Sequence, residues 1–117
     1  MDEIVLKIAT DFSRTPGVRY ETEGEFSGEK FRKELLLPKC KEALSKKCKL
    51  RVVLDGTAGL GTSFLEESFG GLIRENDIDY HLLMNTLELV SVENPDYIEE
   101  INDYLKDAYE RKGKNKK

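Results

Sequence analysis

The sequence predicts one α/β (α+β) domain, a four- to five-strand mixed sheet with three to four helices packed on it. Segments of alternating apolar residues are interleaved with segments whose apolar residues recur three and four positions apart, as in strands and helices. The 117 residues suffice for one hydrophobic core, and neither a repeat nor a linker divides them. We expect the order β-β-α-β-α-(α)-β-α, with the domain over residues 1–110 and a basic disordered tail over 111–117.

Four segments have the character of strands. Residues 4–8 alternate apolar and other side chains, and residues 18–22 (Val-Arg-Tyr-Glu-Thr) alternate again after a turn. Residues 50–54 (Leu-Arg-Val-Val-Leu) are almost continuously apolar, which is typical of a central strand. A last strand is expected within residues 87–92.

Three segments predict helices by their caps and spacing. Ser27 is placed to cap a helix over residues 29–46, and Pro38 should kink or split that helix because it has no amide donor. Residues 81–84 can form a helical turn. Asn94 and Pro95 then supply a cap and a first-turn proline for the final helix. Its inner stripe is Ile98, Ile101, Leu105 and Ala108.

A further helix is expected to start near residue 62 and to reach residue 72. With Ser63 as its N-cap, Glu66 stands at the third helical position, which predicts a capping box. Gly70 and Gly71 follow within the same helix, although each glycine costs about 1 kcal/mol there relative to alanine. We interpret the pair as a flat contact face that another backbone can approach.

Composition narrows the classes of function. The chain carries 23 acidic and 19 basic residues, for a formal charge of −4, which argues against a nucleic-acid partner. No apolar run reaches the roughly 18 residues of a membrane span, and the first residues lack the basic start of a signal peptide, so we expect a cytoplasmic protein. Cys40 and Cys48 should be reduced thiols. One histidine, His81, gives no basis for a metal site or a catalytic triad.

The loop over residues 55–63 allows a cofactor-binding alternative. It follows the apolar strand and reads Asp-Gly-Thr-Ala-Gly-Leu-Gly-Thr-Ser. Glycines that admit a ligand to the backbone, followed by a helix start, are typical of nucleotide sites and of the first motif of S-adenosylmethionine-dependent methyltransferases. A small protein that binds a nucleotide or S-adenosylmethionine here is therefore the alternative function. The leading interpretation has no cofactor and no catalytic residue.

Several fragments, in order, resemble one family. They are Asp11-Phe12 with Arg14 and Arg19, Phe26-Ser27-Gly28-Glu29 with Phe31-Arg32, Val53-Leu54-Asp55, and the run from Ser63 to Leu72. Over about residues 4–110 the chain resembles the STAS-like domain family of unknown function. That family is similar to anti-sigma-factor antagonists, in which a strand leads through a loop into a helix that begins with a phosphorylated serine.

The resemblance implies a regulatory adaptor domain and no enzymatic activity. Ser63 would be the phosphoacceptor, with Thr62 beside it, and the partner would be a protein such as a GHKL-type ATPase or kinase. Docking would use the loop and helix over residues 59–72, with Leu60 and Phe64 as apolar anchors. The remaining partner-binding candidates are Gly59, Gly61, Glu67, Gly70 and Gly71. A homodimer whose helix faces pair is a further alternative.

Overall fold

The computed structural model describes residues 3–115 and contains a sheet of three parallel strands. β1 (Glu3–Lys7), β2 (Lys49–Val53) and β3 (Leu87–Val90) lie side by side in that order. The prediction of a central strand at 50–54 is confirmed to within one residue. The prediction of a four- to five-strand mixed sheet is wrong for the described residues, which form three strands and no antiparallel pair.

Within residues 3–115, a single π-helical turn (Ile8–Phe12) follows β1, and four longer helices connect or follow the strands. Helix α1 covers residues 28–46 and α2 covers residues 62–74; each contains one wider π-helical turn, at Arg32–Leu36 and Glu66–Gly70. Helix α3 is Tyr80–Thr86 and α4 is Asp96–Asn115. Because parallel neighbours need a crossover, α1 leads from β1 to β2, and α2 with α3 leads from β2 to β3.

The predicted second strand, residues 18–22, is absent because that segment caps α1 instead. The carbonyl oxygens of Val18 and Arg19 accept hydrogen bonds from the N–H groups of Gly28 (3.1 Å) and Glu29 (3.0 Å). Val18 has a φ of +56°, a left-handed conformation that is unusual for a β-branched residue and incompatible with a strand. The alternating pattern therefore belongs to a loop whose carbonyl groups accept hydrogen bonds from the first amides of α1.

The start and end of α1 agree with the sequence. Ser27 caps the helix through a 3.0 Å hydrogen bond from Lys30 N–H, as predicted. Pro38 is the second residue of the regular segment Leu37–Lys46, which follows the π-helical turn, so the hydrogen-bonding pattern of the helix changes next to the proline. The helix ends at Lys47, which has a φ of +56°, and Cys48 N–H donates to Ala43 O at 3.0 Å. This is the left-handed C-terminal cap that glycine usually provides.

The helices cover one face of the sheet. On that face Leu6, Leu50 and Val52 are fully buried. On the opposite face the side chains are exposed or half-buried, and Arg51 Nε donates to Glu88 Oε1 at 2.5 Å. All-parallel sheets usually have both faces covered, so the open face is unusual.

The last helix extends further than the sequence predicts. Helix α4 runs to Asn115, five residues into the segment expected to be a disordered tail, and Lys112 Nζ donates to Ile73 O at 2.9 Å. Lys116 and Lys117 lie outside the described residues.

Both cysteines are free, with Cys40 in the core and Cys48 half-buried. No helix within residues 3–115 is both long and apolar enough to cross a membrane.

Candidate docking surface at the carboxyl edge of the sheet

Three loops meet where the parallel strands end, and hydrogen bonds join them. The glycine-rich loop after β2 donates from Ala58 N–H to Arg14 O in the loop after β1 (2.7 Å). It also donates from Gly56 N–H to Glu93 Oε1 in the turn after β3 (2.8 Å). The carboxyl edge of the sheet is therefore one connected surface.

Asp55 strengthens the connection between the loops after β2 and β3, because both of its carboxylate oxygens accept hydrogen bonds from the turn after β3. Oδ1 accepts from Glu93 N–H at 2.7 Å and Oδ2 accepts from Val92 N–H at 3.0 Å. Leu60 N–H donates to the Tyr97 hydroxyl at 3.0 Å. The Asp55 carboxylate and the Gly56, Ala58 and Leu60 amides therefore bind groups of the chain itself and are not available to a cofactor.

The conformation of the loop explains one glycine directly. Gly56 has a φ of +93°, which side-chain-bearing residues rarely adopt, and an added Cβ would lie 3.0 Å from the Ala9 Cβ. Glycine at this position lets the strand turn sharply and lets the loop after β1 approach it closely.

Ser63 and Thr62 lie exposed at the first turn of α2, but the expected capping box is wrong. Helix α2 begins at Thr62, so the cap is Gly61, which has no side chain with which to accept a hydrogen bond. Ser63 is thus the second helical residue, and it is exposed. Glu66 is not a capping residue because its carboxylate contacts two arginines instead.

Those arginines, Arg19 and Arg74, belong to an ion-pair network around Glu66 and Glu67 of α2, which also includes Arg32 of α1 and which we call the Arg–Glu network. Glu66 accepts from Arg19 Nη1 and from Arg74 Nη1, both at 2.5 Å. The buried Glu67 accepts from Arg32 Nη1 at 2.6 Å, and Arg32 also donates to the Glu67 backbone oxygen at 2.7 Å. Burial alone would raise the pKa of the Glu66 carboxyl, but the hydrogen bonds from Arg74 and Arg19 outweigh it and hold that pKa below its usual range.

The network lines a cleft of about 500 Å³ in which the opposite charges nearly cancel. Four arginines face five carboxylates there, and most of them are already paired with one another. Its lining residues are Arg19, Arg32, Arg74, Arg111, Glu29, Glu66, Glu67, Glu75, Asp107, Tyr20 and Tyr104. The cleft therefore has no charge preference that would identify a ligand.

The network also corrects the interpretation of Gly70 and Gly71 as a flat contact face. Both glycines are buried. A Cβ on Gly71 would clash with the Arg32 guanidinium, and one on Gly70 would lie 2.6 Å from Glu66 Oε2. The missing side chains make room for the Arg–Glu network, and no external backbone can approach there.

The seven predicted partner-binding residues divide into exposed and buried groups. Gly59 and Gly61 are exposed. Leu60 and Phe64 are buried, with exposed fractions of 6% and 1%, and the Phe64 ring stacks on Phe31 at a centroid distance of 5.7 Å. They cannot be the exposed anchors that the sequence suggested. Glu67, Gly70 and Gly71 are buried with them.

One exposed residue on this edge was not identified from the sequence. Val92 is 80% exposed and lies on the turn that Asp55 holds. The apolar pattern of residues 87–92 predicts Val92 as part of the last strand, but that strand ends two residues earlier, at Val90. The sequence does contain an indication of this: Asn94-Pro95 is a turn-forming pair, so a strand is expected to end before it.

Comparisons with known proteins identify a family and nothing finer. No curated protein matches this chain, and no solved structure matches it either. A family model described as a STAS-like domain of unknown function (DUF4325) matches residues 27–97, which is more than half of the chain. The matched region begins at the Ser27 cap and ends at Tyr97, so it contains β2, β3, the glycine-rich loop and α2. This chain belongs to the family of STAS-like domains of unknown function.

Proposed function

We propose that this domain is a regulatory protein-interaction domain of the cytoplasm, without enzymatic activity. It docks a partner protein through the exposed part of the carboxyl edge, which we call the tip surface. The tip surface consists of Gly59, Gly61, Thr62, Ser63 and Val92. One observation carries the proposal: the Gly56, Ala58 and Leu60 amides of the loop bind other parts of the chain, while the tip-surface residues stay exposed. A surface that is held in place by such hydrogen bonds suits recognition by shape.

Buried residues beneath the tip surface support its rigidity. Phe64 stacks on Phe31, and Leu60 is held both by its own burial and by the hydrogen bond to Tyr97. They therefore fix the first turn of α2 to the core. In this proposal Leu60 and Phe64 shape the surface from below, and Val92 supplies the apolar contact that they had been expected to make.

Ser63, with Thr62 beside it, is the proposed site of regulation by phosphorylation. The first amides of a helix have no acceptor within the helix, and the Gly61 cap supplies none from a side chain. A phosphate on Ser63 would gain from those amides while adding a charge of about −2 to the tip surface. The nearby Glu66 and Glu67 carboxylates are paired with arginines, which reduces their repulsion of a phosphate. By the resemblance to the antagonists, the partner is a GHKL-type ATPase or kinase.

Calorimetric titration with candidate GHKL-type ATPases tests this proposal. We expect Ser63→Ala to bind within threefold of the unmodified chain and Ser63→Glu to bind at least tenfold more weakly, which corresponds to about 1.4 kcal/mol. Ser45 is exposed on α1, so Ser45→Glu is the matched control and should bind normally. Val92→Asp should weaken binding as much as Ser63→Glu.

Two results would reject the proposal in part or in whole. Equal binding by Ser63→Glu and Ser45→Glu would show that the charge at the tip surface has no regulatory effect. Normal binding by Val92→Asp, together with normal binding by Ser63→Glu, would move the docking surface elsewhere. Mass spectrometry after incubation with ATP and the candidate kinase tests phosphorylation separately, with phosphate expected on Ser63 or Thr62.

A further inference from the structure

The free edge of β3 presents unpaired backbone groups. Val90 O accepts from Leu54 N–H at 2.8 Å, so the backbone groups of Val90 point toward β2. The N–H and C=O groups of one strand residue point to the same side, and those of its neighbour point to the other. The N–H and C=O of Leu89 therefore face away from the sheet, where no strand of residues 3–115 pairs with them.

The same part of β3 lines an apolar hollow of about 220 Å³. In the register of the sheet Leu87 pairs with Leu50 and Leu89 with Val52, both fully buried, so Leu87 and Leu89 point to the helix-covered face. They are themselves only half-buried because the sheet ends there. The full lining is Met84, Leu87, Leu89, Ile98 and Asn102. Backbone donors and acceptors thus lie directly beside a space for an aliphatic side chain.

The two edges of the sheet are protected to different degrees. Natural edge strands are usually blocked by lysine, proline, a bulge or a covering segment. β1 has charged Glu3 and Lys7 on its open face, and Lys7 N–H is taken by Asp11 Oδ2 at 2.8 Å. β3, with the sequence Leu-Glu-Leu-Val, has no lysine or proline, and its only charge, Glu88, is paired with Arg51.

We propose that β3 binds an extended segment of a partner protein as a fourth strand. The segment carries branched aliphatic side chains at alternate positions, and one of them fills the hollow. Main-chain hydrogen bonds to Leu89 give affinity and the hollow gives selectivity, as in other cases of strand addition. The net charge of −4 favours basic residues at the ends of the segment. This site is independent of the tip surface.

The small size of the edge argues for a short segment and against a second copy of this chain. A four-residue strand is about 13 Å long. A strip even 20 Å wide along it covers roughly 260 Å², about a third of the roughly 800 Å² that each partner buries in a stable interface. Pairing of β3 with its own copy would therefore be too small to hold a dimer, whereas a flexible peptide can bind a strip of this size.

A synthetic peptide that alternates valine with threonine between terminal lysines is a suitable probe. Two further versions carry N-methyl groups on all valines or on all threonines, which removes those N–H donors without changing the side chains. If the strands are antiparallel, the valine that faces Leu89 uses its own N–H, so methylated valines abolish binding. If they are parallel, methylated threonines abolish it. We expect one version to lose at least tenfold in affinity and the other to bind, with the Leu89 amide protected from hydrogen exchange.

Variants of α4 test the hollow without altering β3. Asn102→Phe places a ring in the hollow, and Asp103→Phe places the same ring on the exposed neighbouring position. We expect Asn102→Phe to weaken the peptide at least fivefold and Asp103→Phe to leave it unchanged, with both variants folded by circular dichroism.

Equal binding of both methylated peptides, or an unprotected Leu89 amide, would overturn the proposal. Sedimentation of the full chain addresses the competing occupant. A dimer at micromolar concentration that Asn102→Phe dissociates would assign the edge to a second copy and overturn the partner segment.

Discussion

Replacing Arg32 by methionine removes a guanidinium from a carboxylate that is itself almost fully buried. The Arg32 and Glu67 side chains are each 4% exposed, and the Nη1 to Oε2 distance is 2.6 Å. Breaking one side of a buried ion pair costs about 3–5 kcal/mol because the remaining charge stays in a medium that solvates it poorly. Glu67 retains Arg74 at 3.2 Å and Arg19 at 3.4 Å, so we expect the lower end, about 3 kcal/mol.

This cost converts to a clear shift in the melting temperature. An unfolding entropy of about 2.1 cal/mol/K per residue gives roughly 250 cal/mol/K for a chain of this length, so 3 kcal/mol lowers Tm by about 12 °C. Urea unfolding followed by circular dichroism measures the free energy directly. The double variant Arg32→Met with Glu67→Met should be more stable than the sum of the single effects, because no charge is left buried.

Arg51 supplies the matched control. It pairs with Glu88 and Glu3 on the open face of the sheet, where its side chain is 42% exposed. Exposed pairs contribute about 0–1 kcal/mol, so Arg51→Met should change stability by no more than that. A cost for Arg32→Met below about 1 kcal/mol, indistinguishable from Arg51→Met, would refute the argument that burial makes the Arg–Glu network structurally important.

Three other predictions concern single residues. Lys47→Gly should stabilise the fold by about 1 kcal/mol, seen as a higher urea midpoint, because glycine adopts the left-handed cap of α1 without strain; a destabilised variant would contradict this. Burial raises the pKa of the Cys40 thiol to about 11, so a thiol reagent at pH 8 should modify Cys48 first and Cys40 only after unfolding; equal rates would be inconsistent. The pKa of Glu66 is lowered by folding, so its contribution to stability is complete above its unfolded pKa and disappears as the pH falls through the folded pKa, below about 4.5. Glu66→Gln should flatten the acid limb of the stability curve, and an unchanged limb would contradict the assignment.

The parts of the fold that local sequence determines were predictable. The Ser27 cap depends on a hydrogen bond three residues away, and the central strand depends on a continuous apolar run, so both are visible in short windows. The final helix was visible for the same reason, in the regular spacing that follows Asn94-Pro95.

Long-range contacts explain most of what the sequence could not predict. Glu66 matched a capping box, but its actual partner Arg19 is 47 residues away, and no local pattern indicates that pair. Residues 18–22 matched a strand, but their carbonyls cap a helix that only the folded chain brings close. The role of Gly71 is not visible in the local sequence because its neighbour, the Arg32 side chain, comes from another helix. The family resemblance predicted that Ser63 lies at the start of a helix, where the structure has it, but it could not show that the neighbouring Leu60 and Phe64 are buried.

The two hydrogen bonds that Asp55 accepts have a consequence for the free energy of binding at the proposed tip surface. They hold the turn with Val92 and the loop that leads to Ser63 as one unit, so neither has to be ordered when a complex forms. Ordering a loop or a side chain on association costs free energy that the contacts must first offset. In the proposed interaction, a preorganised surface avoids that loss, so we expect a small contact area to suffice and a single added phosphate to be enough to end binding.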